Sequence, residues 1–301
     1  MITNFDQMFE QLRSKPKKRL VAAWAVDDHT ISAVYMAVEA GIVEGILVGD
    51  EAMIQKVCQE HNYDLSKLTV VNNPNELKSI AQAVDMVNAG EADILMKGLC
   101  STDKYMRGIL NKERGLLPPK AVLSHVCVVQ HPHYHKLLVI SDIAVIPAPD
   151  LKQKQAMINY TVSTAKALGV EKPKVAMITA TEQMLPGMPA CVEAAMLSKM
   201  SDRGQIAGCI VDGPLALDVA LCKEAAEIKK LKSEVAGDAD CLVFPNIESA
   251  NVFYKVSGHF CPGVKMAAMV AGAKAPCVLS SRADSTEVKL NSIALAALTA
   301  K

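Results

Sequence analysis

Short, uninterrupted apolar runs recur along this chain, each followed by a stretch with helical spacing, and that alternation limits the fold more than any other feature. Leu20-Val21-Ala22-Ala23-Trp24-Ala25 carries no polar residue, the mark of a strand buried on both faces. Asp27-Asp28-His29-Thr30 ends it and supplies caps for a helix over 31–40, which Gly41 stops. Strands follow over 45–49, 68–71 and 92–96, separated by helices over 50–60 and 75–89, after a short amphipathic helix over 4–13. The second half repeats the rhythm with a helix over 151–168, a strand over 175–180, a helix to about 199 and a strand over 206–211. A helix over 218–235, a strand over 241–244 and helices through Tyr254-Lys255 and across 264–271 come next. A last strand over 276–279 precedes a helix over 288–300. Alternation of this kind means βαβ units and largely parallel sheet.

Length sets the number of such assemblies. At 301 residues the chain is long enough for two domains. Ile146-Pro147-Ala148-Pro149-Asp150 is the best crossing between them. The expected division is therefore 1–145 plus 284–301, and 146–283, each a doubly wound α/β domain, with a cleft between. Aromatics make up 4% of residues, so Ala, Val, Leu, Ile and Met fill the cores. Lys plus Arg and Asp plus Glu both number 32, which argues against nucleic acid or a membrane surface as partner. The basic run Lys15-Pro16-Lys17-Lys18-Arg19 reads as a solvated linker. Nine cysteines without a Cys-x-x-Cys pair fit reduced thiols better than disulfides or zinc. The opening residues are polar and amphipathic, and no apolar run approaches the roughly 18 residues of a membrane span. A cytoplasmic location is expected.

Chemistry gathers where apolar runs end, which is where open α/β sheets bind ligands. The run Pro276-Cys277-Val278-Leu279 stops at Ser280-Ser281-Arg282-Ala283-Asp284-Ser285-Thr286-Glu287. It brings hydroxyls, a guanidinium able to grip phosphate or carboxylate, and carboxylates that can act as bases. As plain structure, the same turn is a capped, salt-bridged helix start. The strand before Lys97-Gly98-Leu99-Cys100-Ser101-Thr102 outlines an anion site at a helix start, with charge from Lys97 and Arg107. Ser101-Thr102-Asp103 is equally an ordinary cap, and the spacing is not that of a Walker loop. Ser141-Asp142 marks a third polar strand end. His131, His133 and His135 alternate between Pro132 and Tyr134, which favours a surface hairpin over a metal site. No Gly-x-Gly-x-x-Gly follows a strand, which weighs against a dinucleotide site.

Taken together, these residues resemble the phosphate acetyl- and butyryltransferases over nearly the whole chain. The carriers are Met96-Lys97-Gly98 with Ser101, Thr102 and Arg107; Ser141-Asp142; and Phe244-Pro245-Asn246 with Asn251 and Tyr254-Lys255. The most specific is Ser281-Arg282-Ala283-Asp284-Ser285, whose form is similar to the butyryltransferase branch. The resemblance implies two α/β domains of the isocitrate/isopropylmalate dehydrogenase type, assembled as homodimers or larger homo-oligomers. It implies butanoyl-CoA + phosphate ⇌ butanoyl phosphate + CoA, with CoA as a substrate and no cofactor or metal. Acetyl transfer is the nearest alternative, and a dehydrogenase of the related superfamily a more distant one. By resemblance, Ser281 holds the CoA sulfur and Arg282 the acyl phosphate. Lys97, Ser101, Thr102 and Arg107 serve the phosphate, with Asp142 and Asn251 also at the substrate. The acetyltransferases place a catalytic aspartate seven residues after the serine, where this chain has Val288. Asp284 and Glu287 are the local substitutes as base, with Asp142 a third. An acyl-cysteine route through Cys100, Cys261 or Cys277 is disfavoured, because buried structural cysteine is the common case.

Overall fold

The computed structural model describes residues 1–280 and 284–301. The expected alternation is present from the start. α1 (Phe5–Arg13) precedes β1 (Lys18–Ala23), α2 (Asp28–Glu39), β2 (Val43–Gly49), α3 (Glu51–Glu60), β3 (Leu68–Asn72), α4 (Glu76–Asn88), β4 (Ile94–Lys97) and α5 (Thr102–Ile109). Next come β5 (Ser124–Gln130), β6 (Leu138–Ser141), α6 (Leu151–Ala167), β7 (Lys174–Ile178), α7 (Pro189–Asp202) and β8 (Ile210–Leu215). The chain continues with α8 (Leu217–Leu221), α9 (Lys223–Ile228), β9 (Cys241–Val243), α10 (Ile247–Phe260), β10 (Lys265–Ala271), β11 (Cys277–Val278) and α11 (Thr286–Thr299).

Two compact units result. The first comprises Phe5–Leu123 and Ala267–Lys301, the second Met1–Asn4 and Ser124–Met266. These boundaries differ from the expected 145/146 and 283/284, and strand pairing gives the reason. β6 runs parallel to β9 with Ile140 opposite Leu242, which ties 124–145 to the second unit. β11 runs parallel to β4 with Val278 opposite Met96, and β10 pairs antiparallel with β11, which ties 267–280 to the first. Proline content marked a loop, but hydrogen-bonded ladders decide membership.

In the first unit the strand order is β3-β2-β1-β4-β11-β10, parallel except for the last pair. β1 to β3 progress outward on one side, whereas β4 returns to the other side of β1. The order therefore reverses between β1 and β4, and that switch point opens a crevice at the carboxyl ends of the strands. Leu20, Val21, Ala22 and Ala23 of β1 are fully buried, as an all-apolar strand covered on both faces should be. α11 packs against α1 and α2. In the second unit the order is β5-β6-β9-β7-β8, with β5 antiparallel to β6 and the others parallel.

Three expected elements changed. Residues 264–271, expected as helix, form β10. Met266-Ala267-Ala268-Met269-Val270 favours helix in isolation, but all five are buried and Val270 pairs with Cys277, so tertiary pairing overrides propensity. The helix expected over 218–235 is broken at Cys222 into α8 and α9, where the backbone turns extended. The strand expected over 206–211 lies later and runs through Asp212-Gly213-Pro214 as β8. It stands at the end of its unit's order, where a proline without an N–H is tolerated. Among the described residues, no helix is long and apolar enough to cross a membrane.

Candidate active site

The carboxyl ends of β1, β4 and β11 lie side by side, and the segments leaving them enclose a cavity of about 220 Å³ within the first unit. Asp27, His29 and Thr30 contribute from the β1–α2 turn, and Lys97, Gly98 and Leu99 from the β4–α5 turn. Ser280 after β11 and Lys289 on α11 also line the cavity. Local sequence explains each wall. Trp24 turns the chain out of β1 with φ 56°, in the left-handed region that non-glycine residues rarely occupy. Asp27 then caps α2, one carboxylate oxygen accepting from the Thr30 N–H at 3.1 Å.

The β4–α5 turn is stapled to this first turn. Gly98 N–H donates to the Ala23 carbonyl at 2.9 Å and Leu99 N–H to that of Trp24 at 2.9 Å. A Cβ on residue 98 would stand 2.3 Å from the Trp24 oxygen and 2.6 Å from the Ala23 oxygen, so only glycine fits. Lys97 is 7% exposed, its ammonium 3.3 Å from the Gly98 carbonyl. Lys289 is 5% exposed, and its ammonium donates to the Asp284 carbonyl at 2.5 Å. Two buried lysines thus border one cavity, an arrangement suited to a bound anion.

The sequence-predicted residues fall into separate groups. Ser281 and Arg282 lie outside the described residues. Before 281–283, Ser280 lines the cavity; after it, the Asp284 carbonyl accepts from Lys289, itself a wall residue. Glu287 is exposed in the first turn of α11, which Ser285 caps. Ser101 caps α5 by accepting from Lys104 N–H at 3.2 Å, and both Ser101 and Thr102 are exposed. Arg107, also exposed, pairs with Asp103 at 3.0 Å and borders a different groove, between α4 and α5. Of that loop set, Lys97 is the member that lines the strand-end cavity.

Asp142 and Asn251 meet in the second unit. Asp142 is 2% exposed and accepts three backbone N–H bonds, from His125 at 3.0 Å, Ala144 at 2.8 Å and Val145 at 2.7 Å. The Asn251 amide donates to the Ile143 carbonyl at 3.0 Å, fastening the same loop to α10. Ser141, one residue earlier, shares a hydrogen bond with Ser124 at 2.7 Å.

Cys100 and Cys277 are fully buried. Burial pushes the Cys100 thiol up, with Lys97 pulling weakly the other way, and pushes that of Cys277 up to about 12. Neither is poised as a thiolate nucleophile. Of the histidine loop, His135 bonds Asp238 at 2.9 Å, and His131 and His133 face each other 5.6 Å apart.

Two residues, Tyr105 and Asp27, escaped the sequence reading as site candidates. Tyr105, fully buried, donates its hydroxyl between the carbonyls of Leu95 and Val278, each at 3.2 Å, joining β4 to β11. Asp27 and Lys289 became visible as wall residues only when three distant turns came together. A lysine ahead of the apolar run Ile293-Ala294-Leu295, all core, was the available signal for Lys289.

A family model for phosphate acetyl/butaryl transferase matches residues 4–85 and 73–297. The chain is 46% identical over 300 residues to a phosphate butyryltransferase of Clostridium acetobutylicum, covering 100% of this chain and 99% of the relative. It is 43% identical to a phosphate acetyltransferase of Thermotoga maritima, covering 97% and 98% of the two chains. The crystal structure of a branched-chain phosphotransacylase from Enterococcus faecalis V583 superposes with a TM-score of 0.83 at 29% identity. That match covers 94% of this chain and 98% of the other. By sequence along its whole length and by fold, the chain belongs to the phosphate acetyl/butyryltransferase family.

Proposed function

We propose that this protein transfers a short acyl group between CoA and inorganic phosphate, with butanoyl-CoA + phosphate ⇌ butanoyl phosphate + CoA as the favoured reaction. The strand-end cavity of the first unit carries this reading, because Ser280, the residue before Ser281-Arg282 in the sequence, lines it. The near full-length identity to a named butyryltransferase supports the choice of acyl group.

In the forward direction a phosphate oxygen attacks the thioester carbon. A C–O bond forms, the C–S bond breaks, and the CoA thiolate leaves and takes up a proton. Fixed cations stabilise the charge gathered on phosphate and on the carbonyl oxygen. Lys97 and Arg282 fill that role here, with Ser281 at the CoA sulfur. Asp284, in the turn before α11, is the first choice for the proton transfer, and Glu287 the second. Ser101 and Thr102 at the exposed start of α5, and Arg107 in its last turn, contribute to substrate capture. Asp142 and Asn251 act by holding the loop after β6. CoA enters as a substrate, without a further cofactor or metal. Assembly as a homodimer or larger homo-oligomer, a cytoplasmic location and fold kinship with the isocitrate and isopropylmalate dehydrogenases belong to the same reading.

The test is a kinetic panel of acetyl-, propanoyl-, butanoyl- and branched acyl-CoA with and without phosphate. CoA release that requires phosphate, and is fastest with butanoyl-CoA, is expected. Arg282→Ala should lower kcat/KM by about 10²–10³-fold or more, with the melting temperature unchanged. Release that is indifferent to phosphate for every acyl group would remove the proposal.

A further inference from the structure

We propose that Lys289 is a positioning residue for the acyl transfer: by gripping the turn before α11 it holds Asp284 in place for the proton transfer. This deepens the function proposed above and rests on it for the role of Asp284.

Asp284 stands outside α11, one residue before the cap Ser285, so the helix ladder itself does not hold it. Lys289 supplies that hold. Its backbone N–H donates to the Ser285 carbonyl at 3.1 Å, and its ammonium donates to the Asp284 carbonyl at 2.5 Å. One residue thus binds two successive carbonyls across the cap. Side chains on a helix lean towards its amino end, and the lysine stem is long enough to run from the second turn past the cap. Ser285 closes the same turn, its hydroxyl accepting from the Val288 N–H at 3.3 Å.

Such a grip fixes Asp284 only if α11 is itself fixed, and α11 is tied to the sheet. Ser292 donates its hydroxyl to the Val288 carbonyl at 2.7 Å and accepts from the Ala268 N–H of β10 at 2.9 Å. Ile293, Ala294, Leu295, Ala296 and Ala297 beyond it are core. Support therefore runs from β10 through α11 and Lys289 to the backbone of Asp284.

Lys289 is 5% exposed, and a buried ammonium whose bond is to a neutral carbonyl is expensive. A fold that needed only a filled site would gain more from an apolar side chain there. What the lysine gains is a fixed turn, and a displacement of about 1 Å at a reacting group can cost about a hundredfold in rate. The same hold favours Asp284 over Glu287, which stands exposed in the first turn, as the group that moves the proton.

The experiment compares wild type with Lys289→Met, Lys289→Arg, Asp284→Asn and the double variant of Lys289→Met with Asp284→Asn. Each is read by phosphate-dependent CoA release and by amide hydrogen exchange. Methionine keeps an apolar side chain in the buried site and removes the grip, whereas arginine keeps a donor of similar reach. Lys289→Met should lower kcat about 10–100-fold and change the KM for phosphate by less than about threefold. Lys289→Arg should recover most of that loss. In the Asp284→Asn background, Lys289→Met should cost less than about threefold further, because its effect passes through Asp284. Amide exchange over residues 285–288 should quicken about tenfold or more in Lys289→Met, with that over 291–297 unchanged. Lys289→Gln, too short to pass the cap, should behave in the same way and replaces Lys289→Met if that variant does not fold. An equal loss in both backgrounds overturns the proposal, because Lys289 would then act independently of Asp284. A raised KM for phosphate with kcat unchanged overturns it too, because Lys289 would then serve the anion directly. Full activity in Asp284→Asn removes Asp284's role and the proposal with it. Wild-type exchange in a folded Lys289→Met overturns the grip itself. No phosphate-dependent CoA release from wild type would refute the transferase reading, while faster exchange in Lys289→Met would still establish the grip.

Discussion

The ends of β4 and β6 look alike in sequence and differ in what they leave open. Each is a buried apolar strand that stops at polar residues: Lys97-Gly98 in the first unit, Ser141-Asp142 in the second. At β4, neighbouring strand ends stand apart enough to enclose a cavity, and Lys97 lines it. At β6, three backbone N–H groups close on Asp142, and the Asn251 amide fastens the loop that supplies two of them. The carboxylate at β6 is gripped by three backbone N–H groups inside the fold, whereas the ammonium at β4, bonded to the Gly98 carbonyl, still lines a cavity. A polar residue at a strand end therefore becomes a ligand contact where it borders open space, and the switch in strand order between β1 and β4 provides that space.

Asp142→Ala should give the largest effect and tests this contrast most directly. Removing the acceptor strands three N–H groups and should destabilise the protein by about 3–5 kcal/mol, read from chemical denaturation. If activity fell instead while stability held, Asp142 would belong with the reacting groups and the contrast would fail. At the other strand end, Gly98→Ala forces a methyl group against two carbonyl oxygens that cannot move aside. A loss of about 2–3 kcal/mol is expected, together with reduced phosphate-dependent turnover, because the displaced turn carries Lys97.

Tyr105→Phe removes one hydroxyl shared by two strands and should cost about 1 kcal/mol. A much larger effect on turnover than on melting would place Tyr105 nearer the chemistry than its burial between β4 and β11 implies.

The smallest effect concerns the opposite edge of the second unit, where Lys136, Lys174 and His135 surround Asp238. Burial raises the Asp238 carboxyl, but the hydrogen bonds from Lys174 and Lys136 override it and hold it well below the usual carboxylate range. A carboxyl depressed on folding adds stability above its unfolded value of about 3.9, and loses it as pH falls towards the folded value. Melting temperatures of wild type should therefore fall more steeply than those of Asp238→Asn below about pH 4. Asp238 is half exposed, so the difference should be small; identical slopes would show that the network contributes nothing measurable.

Much of this was legible in the sequence. The apolar runs placed nearly every strand, and caps such as Asp27, Asp50 and Ser285 fixed helix starts within a residue or two. Lys97 was visible as a candidate because a charge at the end of an apolar strand is conspicuous. What escaped depended on long-range pairing. Residues 265–271 have a helix former's composition and become a strand only because β11 is beside them. Asp27 reads as a cap from its neighbours alone, and its place in the cavity wall emerges only once Lys97 and Lys289 arrive from distant positions in the chain. Arg107 looked like part of the anion loop by proximity in sequence, but one turn of helix carries it towards Asp103 and another groove.

The first unit is discontinuous: its sheet takes β11, and its helical layer α11, from beyond the whole of the second unit. During synthesis, a nascent polypeptide that has emerged to residue 266 already holds every strand of the second unit. It still lacks the segment that presents Ser280 and Lys289. The usual amino-terminal-first order of domain maturation is therefore inverted, and the half of the protein made earliest is finished last. A ribosome-stalled or prematurely terminated product cannot bind the anion in part, because the pocket's third side does not yet exist.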